Sequence, residues 1–162
     1  MKFEVIYSDT VPDGRLIYVP DEYSFDFKVE NRPNAEHTIQ LNTLQLAVDI
    51  DGRVHYPWGY CPLIRYAVTE RVPPSSRGGT LSVECVECVD DFVPGIAVAL
   101  HNDSGWPVAI NRQEGWVCLG DPSVPKLWEA VEFANSTVAV LSDGKLIALW
   151  LRPYNLPQVN QK

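Results

Sequence analysis

Cys85-Val86-Glu87-Cys88 places two thiols at the two-residue gap of a zinc knuckle or a redox pair, and Cys61 and Cys118 bring the sulfurs to four. The surroundings argue against metal. A knuckle bends the chain sharply, often at glycine, whereas Leu81 to Val89 alternates as a strand that sends Cys85 and Cys88 to opposite faces. No second two-residue Cys gap exists, and the pair does not open a helix that could lower a thiol pKa. The expectation is four reduced, small apolar thiols, with no metal and no cofactor.

His101-Asn102-Asp103, with Cys118 and Asp121, supplies the residue types of a base, an orienting acid and a thiol nucleophile. Types are not geometry, and no local signature surrounds Cys118. Ser75-Ser76 lacks the strand-turn-helix setting of a nucleophile elbow, and Gly78-Gly79 lacks the lysine and following helix of a phosphate loop. Asp90-Asp91 are chain neighbours whose side chains point apart, and no regular Asp-x-Asp loop follows. Catalysis is not expected.

Charge says more about partners. The formal net charge of -8 disfavours nucleic acid and anionic membranes, which need Lys and Arg to displace counterions. Between Arg77 and Arg112 there is no Lys or Arg, while Glu84, Glu87, Asp90, Asp91 and Asp103 fall inside that interval, followed by Trp106 in the turn-rich stretch Asn102-Asp103-Ser104-Gly105-Trp106-Pro107. These residues are the candidate surface for a basic protein partner, and a bacterial antitoxin-like or immunity-like inhibitor has this profile. The alternative is a small-molecule or enzymatic site built from His55, Tyr60, His101, Trp106, Trp116 and Asp121.

These residues need a frame, and the frame reads as β. Asp13-Gly14-Arg15-Leu16, Asp51-Gly52-Arg53-Val54 and Asp143-Gly144-Lys145-Leu146 repeat one pattern with strand-like residues on both sides, which predicts three hairpin tips. Alternation predicts strands at Lys2 to Tyr7, Arg15 to Val19, Tyr23 to Val29, Thr38 to Asp49 and Arg53 to Tyr60. Further strands are expected at Ile64 to Val72, Thr80 to Val89, Gly95 to His101, Pro107 to Asn111, Gly115 to Leu119, Thr137 to Leu141 and Lys145 to Leu151. Residues 73–79 are the most loop-like stretch. From Pro125 to Ala134, the apolar spacing of Leu127, Trp128, Val131 and Ala134 predicts a short amphipathic helix.

Turn length decides what shares a face, because a one-residue slip exchanges the two faces of a strand. A two-residue turn at Asp51-Gly52 puts Tyr56 and Trp58 on a half-polar face as a ligand platform. A three-residue loop, Ile50-Asp51-Gly52, pairs Asp49 with Arg53 and sets Val54, Tyr56 and Trp58 against Leu44, Leu46 and Val48. The second register matches apolar to apolar and predicts Tyr56 and Trp58 in the core. Pro57 belongs on an edge or at a bulge, which leaves Tyr60 for a groove mouth.

The composite expectation is a mainly β, single domain over 1–152, an antiparallel barrel or sandwich of about ten strands closed by one helix near residues 125–134. Residues 153–162 read as a fraying tail. Glu4 interrupts any signal core, and no stretch approaches about 18 apolar residues, so a cytoplasmic protein is expected.

Overall fold

A computed structural model describes residues 1–84, 92–100 and 105–156. The regular elements among the described residues are all strands except for the single 3-10 turn Pro20–Glu22. No helix among the described residues is long and apolar enough to cross a membrane.

The strands form one curled, mixed sheet shaped as a half-barrel, not the closed antiparallel barrel or sandwich of about ten strands expected from alternation. One half runs β1 (Phe3–Tyr7), β8 (Arg77–Val83), β6 (Arg53–Tyr60), β5 (Leu44–Val48), β4 (His37–Leu41) and β9 (Ala97–Ala99). The hairpin of β2 (Arg15–Val19) and β3 (Ser24–Lys28) hangs from the end of β6. The other half runs β7 (Ala67–Val68), β10 (Val108–Asn111), β11 (Trp116–Gly120), β14 (Lys145–Leu151), β13 (Thr137–Ser142) and β12 (Glu129–Ala134), which returns to β8. Three of the pairings, β7 with β10, β4 with β9 and β8 with β12, are parallel.

The curl comes from strands that change partners along their length. Arg77 and Gly78 of β8 pair with β12, while Gly79 to Val83 pair with β1. A Cβ at Gly79 would stand 2.5 Å from the Ile6 carbonyl oxygen, so the fork closes on bare backbone. Along β6, Arg53 and Val54 pair with β8, and Gly59 and Tyr60 pair with β3. Pro57, which has no amide to donate, falls in the gap between those two partners.

The three Asp-Gly sites resolve into three different structures. Asp51-Gly52 closes the expected three-residue loop, with Gly52 at φ 83° and its amide donating to the Asp49 carbonyl at 3.0 Å. Asp143-Gly144 is a two-residue turn with both residues at positive φ. Asp13-Gly14 joins no hairpin, because β1 pairs with β8 and β2 with β3; a Cβ at Gly14 would lie 2.1 Å from the Phe27 ring. Here glycine serves close packing, which the sequence pattern cannot distinguish from a turn.

Four other expectations are corrected. Val48 faces Val54 as predicted, but Ala47 faces Tyr56, so His55 is an extra, bulged residue. Beyond it the register slips by one: Tyr56 stays buried, whereas Trp58 pairs with Gln45 and is 40% exposed rather than in the core. The predicted long strand Thr38 to Asp49 is the hairpin β4–β5, turned at Asn42, whose φ is 54°. The predicted helix at residues 125–134 is absent; β12 occupies Glu129–Ala134, and Leu127 is 83% exposed. A bulge at Phe133 brings Val131, Phe133 and Ala134 all into the core, and that three-residue spacing imitates a helix. The tail is docked as far as Leu156: the Tyr154 amide donates to the Leu16 carbonyl, and the Asn155 side chain bonds both the amide and the carbonyl of Tyr18.

The main core fills the concave side, with Leu16, Phe25, Phe27, Ile39, Leu46, Leu81, Leu119, Phe133 and Leu149 among its buried members. The second half of the sheet is apolar on its other face too. Ala109, Cys118, Ala130, Val138, Val140, Ala148 and Trp150 form a separate cluster there, with Trp150 only 1% exposed.

A strap, residues 69–76, is tied to this face at Asn111. Residues 69–76 join β7 to β8, which flank the five strands between them, a separation of six inter-strand steps or roughly 29 Å. Val68 and Arg77 are nine Cα steps apart, a reach of about 30 Å when extended, enough for that path, and Pro73-Pro74 favours extension. Asn111 shares its face with Ala109 by strand alternation, and its Nδ2 donates to the Arg71 carbonyl at 3.0 Å. Arg71 of the strap is thereby held against the β10 end of the face that carries the Ala109–Trp150 cluster.

Candidate binding site: the cleft between Trp106 and Asp121

Trp106 enters β10 from Gly105, which is left-handed at φ 65°. Asn42, on the β4–β5 turn, holds its backbone twice: the Trp106 amide donates to Asn42 Oδ1 at 2.7 Å, and Asn42 Nδ2 donates to the Trp106 carbonyl at 2.9 Å. An amide side chain thus copies a strand pairing at the end of the half-barrel. The indole is seated on Gly120, where a Cβ would stand 2.9 Å from Trp106 Cε3 and 2.3 Å from the Ile147 carbonyl oxygen. Gly120 bridges the wall, its amide donating to Pro107.

Asp121 follows immediately, its amide bonded to Ile147. Its Oδ1 accepts from Ser123 Oγ at 2.6 Å and from the Ser123 amide at 2.8 Å. Those two bonds, the side-chain one first, hold the carboxyl below its ordinary pKa, against a smaller opposing effect of burial and with help from Arg71. The opposite wall is fixed by Ser142 Oγ, which donates to the Leu127 carbonyl at 3.0 Å.

Between these walls lies an open cleft of about 490 Å³, lined by Trp106, Asp121, Ser123, Pro125, Leu146 and Ile147 with their neighbours. Its lining is largely apolar, and among the described lining residues the ionisable group is one carboxylate. An indole beside an ionised carboxylate is a setting for a cationic group.

The other described candidate residues do not converge here. His55 Nε2 bonds Asp49 Oδ2 at 2.8 Å at the β5–β6 loop. Tyr60 is 51% exposed at the end of β6, opposite Ser24. Trp116 lies on the convex face, edge-on to Trp150 and beneath the Arg152 guanidinium. Glu84 is exposed just past β8. Glu87, Asp90, Asp91, His101, Asp103, Cys85 and Cys88 lie outside the described residues. Of the alternative site, the structure brings together Trp106 and Asp121.

Cys61 and Cys118 are free and buried, and burial pushes both thiols up to about 12, with the Asp121 charge adding to the effect at Cys118. At neutral pH Cys118 is a protonated core residue, which removes it as a nucleophile. Among the described residues, no three His, Cys, Asp or Glu side chains gather as metal ligands. Sequence reasoning missed Asn42 and Gly120. The signal for Asn42 was the polar pair Asn42-Thr43 between Leu41 and Leu44; Gly120 carried none beyond its place before Asp121-Pro122. The chain matches no family model, and no curated protein sequence matches it either.

Proposed function

We propose that this protein is a non-catalytic binding module that docks a basic protein partner, with the Trp106–Asp121 cleft receiving a Lys or Arg side chain of that partner. The observation that carries the reading is an ionised carboxylate beside an indole in an open cleft, in a chain of net charge -8. Such a pairing attracts a cation through both the ring quadrupole and the negative charge, and the surrounding field speeds encounter. An inhibitor or immunity-like role is the class of function that fits this arrangement.

The test uses arginine amide and lysine amide as probes, followed at the Trp106 indole N–H and the Ser123 amide in nuclear magnetic resonance spectra. The expected result is saturable binding that weakens with salt and falls about tenfold in Asp121→Asn, the loss of one charge-assisted contact. The largely apolar lining favours a second reading, a small-molecule site. Saturable binding of neutral aromatic probes, with no response to either amide, would replace the first reading with it.

A further inference from the structure

A second groove, of about 330 Å³, lies where the C-terminal segment meets β2, lined by Arg15, Leu16, Ser136, Arg152, Pro153 and Tyr154. We infer that it is a site for a phosphate group carried by a small ligand, gripped between the Arg15 and Arg152 guanidiniums. The two arginines are positioned by aromatic rings. Arg15 sits 3.7 Å above the centre of the Tyr154 ring, and Arg152 lies 5.7 Å from that of Trp116. Stacking occupies the face of a guanidinium and leaves its in-plane N–H donors for an oxyanion.

The acids of this region are already held in hydrogen bonds, Glu132 on the backbone of a lining residue. Neither arginine forms an ion pair with a carboxylate among the described residues. Glu132 Oε1 accepts from the Ser136 amide, and Asp26 is bonded to Lys28 and Arg32. Lys28 stands directly across from Arg15 on β3 but is ion-paired with Asp26, so the groove's own cations are the two arginines. In a chain of net charge -8, two arginines lining one groove with no carboxylate partner among the described residues have a use when an anion offsets them. Two forks and the Ser136 hydroxyl suit the charge and the donor demand of phosphate better than those of a single carboxylate. The groove has room for the phosphate and a few atoms of the group that bears it.

The backbone holds this arrangement in place from both sides. The Arg152 amide donates to the Ser136 carbonyl at 2.9 Å, and the Tyr154 amide donates to Leu16 at 2.9 Å, so both arginines hang from paired strands.

The test titrates inorganic phosphate and phenyl phosphate into the full chain at constant ionic strength, following the Arg15 and Arg152 side-chain Nε–H signals and the Ser136 amide. Saturable shifts at all three are expected, with affinity lowered about tenfold in Arg152→Gln and in Arg15→Gln, the loss of one charge-assisted fork each. Arg53→Gln, in the β5–β6 hairpin, should leave binding unchanged. Because Arg15→Gln also loses its stacking on Tyr154, Arg152→Gln, whose ring partner sits on another strand, carries the decision if the tail undocks. Tighter binding of phenyl phosphate marks a monoester as the ligand class, and equal affinity marks the free ion. Shifts linear in phosphate, or an Arg53→Gln effect as large as that of Arg152→Gln, overturn the proposal.

Discussion

Asp49 and His55 clasp the β5–β6 loop between them. Asp49 Oδ2 meets His55 Nε2 at 2.8 Å, while Asp49 Oδ1 accepts from the amides of Asp51 at 3.0 Å and Arg53 at 2.9 Å. His55 is the bulged residue of β6, so the bond fixes both the loop and the register slip that follows it. Burial pushes the Asp49 carboxyl up, yet the His55 bond and the two amides outweigh it and leave the pKa below its ordinary value.

A carboxyl with a depressed folded-state pKa adds stability that is fully present above its unfolded value of 3.8 and is lost as pH falls through the lower folded value. Asp49→Asn should therefore cost about 1.5 kcal/mol at pH 7 and flatten the acid limb of stability against pH. Urea unfolding at several pH values from neutral to below the carboxyl range measures both effects. An unchanged acid slope in the variant would sink the assignment.

Gly120 makes the second prediction. Its φ of 108° and the 2.3 Å approach to the Ile147 oxygen mean that Gly120→Ala meets backbone as well as strain. A loss of about 2–4 kcal/mol and a displaced Trp106 indole are expected, seen as a lower urea midpoint and a shifted tryptophan emission. Gly115→Ala is the comparison, since φ there is 74° and a Cβ meets nothing within 4 Å. It should lose only about 1 kcal/mol, the conformational part alone.

Much of the frame was legible because turn chemistry is local. Gly52, Asp143 and Gly144 sit at positive φ where the dipeptides ask for it, and β10–β11 and β13–β14 form the expected hairpins. What stayed hidden depends on partners far along the chain. The bulges at His55 and Phe133 are set by β5 and β13, and each breaks the period of two that the reading relied on. At Phe133 the broken period passed for a helix; at His55 it moved Trp58 out of the core. The parallel pairings come from long crossovers, which no hairpin signal announces. Trp106 and Asp121 stood out as an aromatic and an acid in turn-rich segments, but only the Asn42 clamp and the Gly120 seat make them one site.

The strap between β7 and β8 supplies the last prediction. Asn111 is buried and bonded at both ends of its amide, donating to the Arg71 carbonyl and accepting from the Glu114 amide, each at 3.0 Å. Asn111→Ala removes both bonds from a buried side chain and should cost about 1 kcal/mol, because the Arg71 carbonyl and Glu114 amide it leaves belong to exposed residues within reach of water. Asn111→Asp separates the two roles: it keeps an acceptor for Glu114 but sets a carboxylate against the Arg71 carbonyl. If Asn111 is what pins the strap, both variants should speed hydrogen exchange at the Thr69 amide, which donates to the Ile110 carbonyl at 3.0 Å. The β13–β14 amides should slow or quicken only with global stability. Equal loss of protection at Thr69 and across β13–β14 would instead make the strap part of one cooperative unit, with Asn111 contributing to stability and not to local docking.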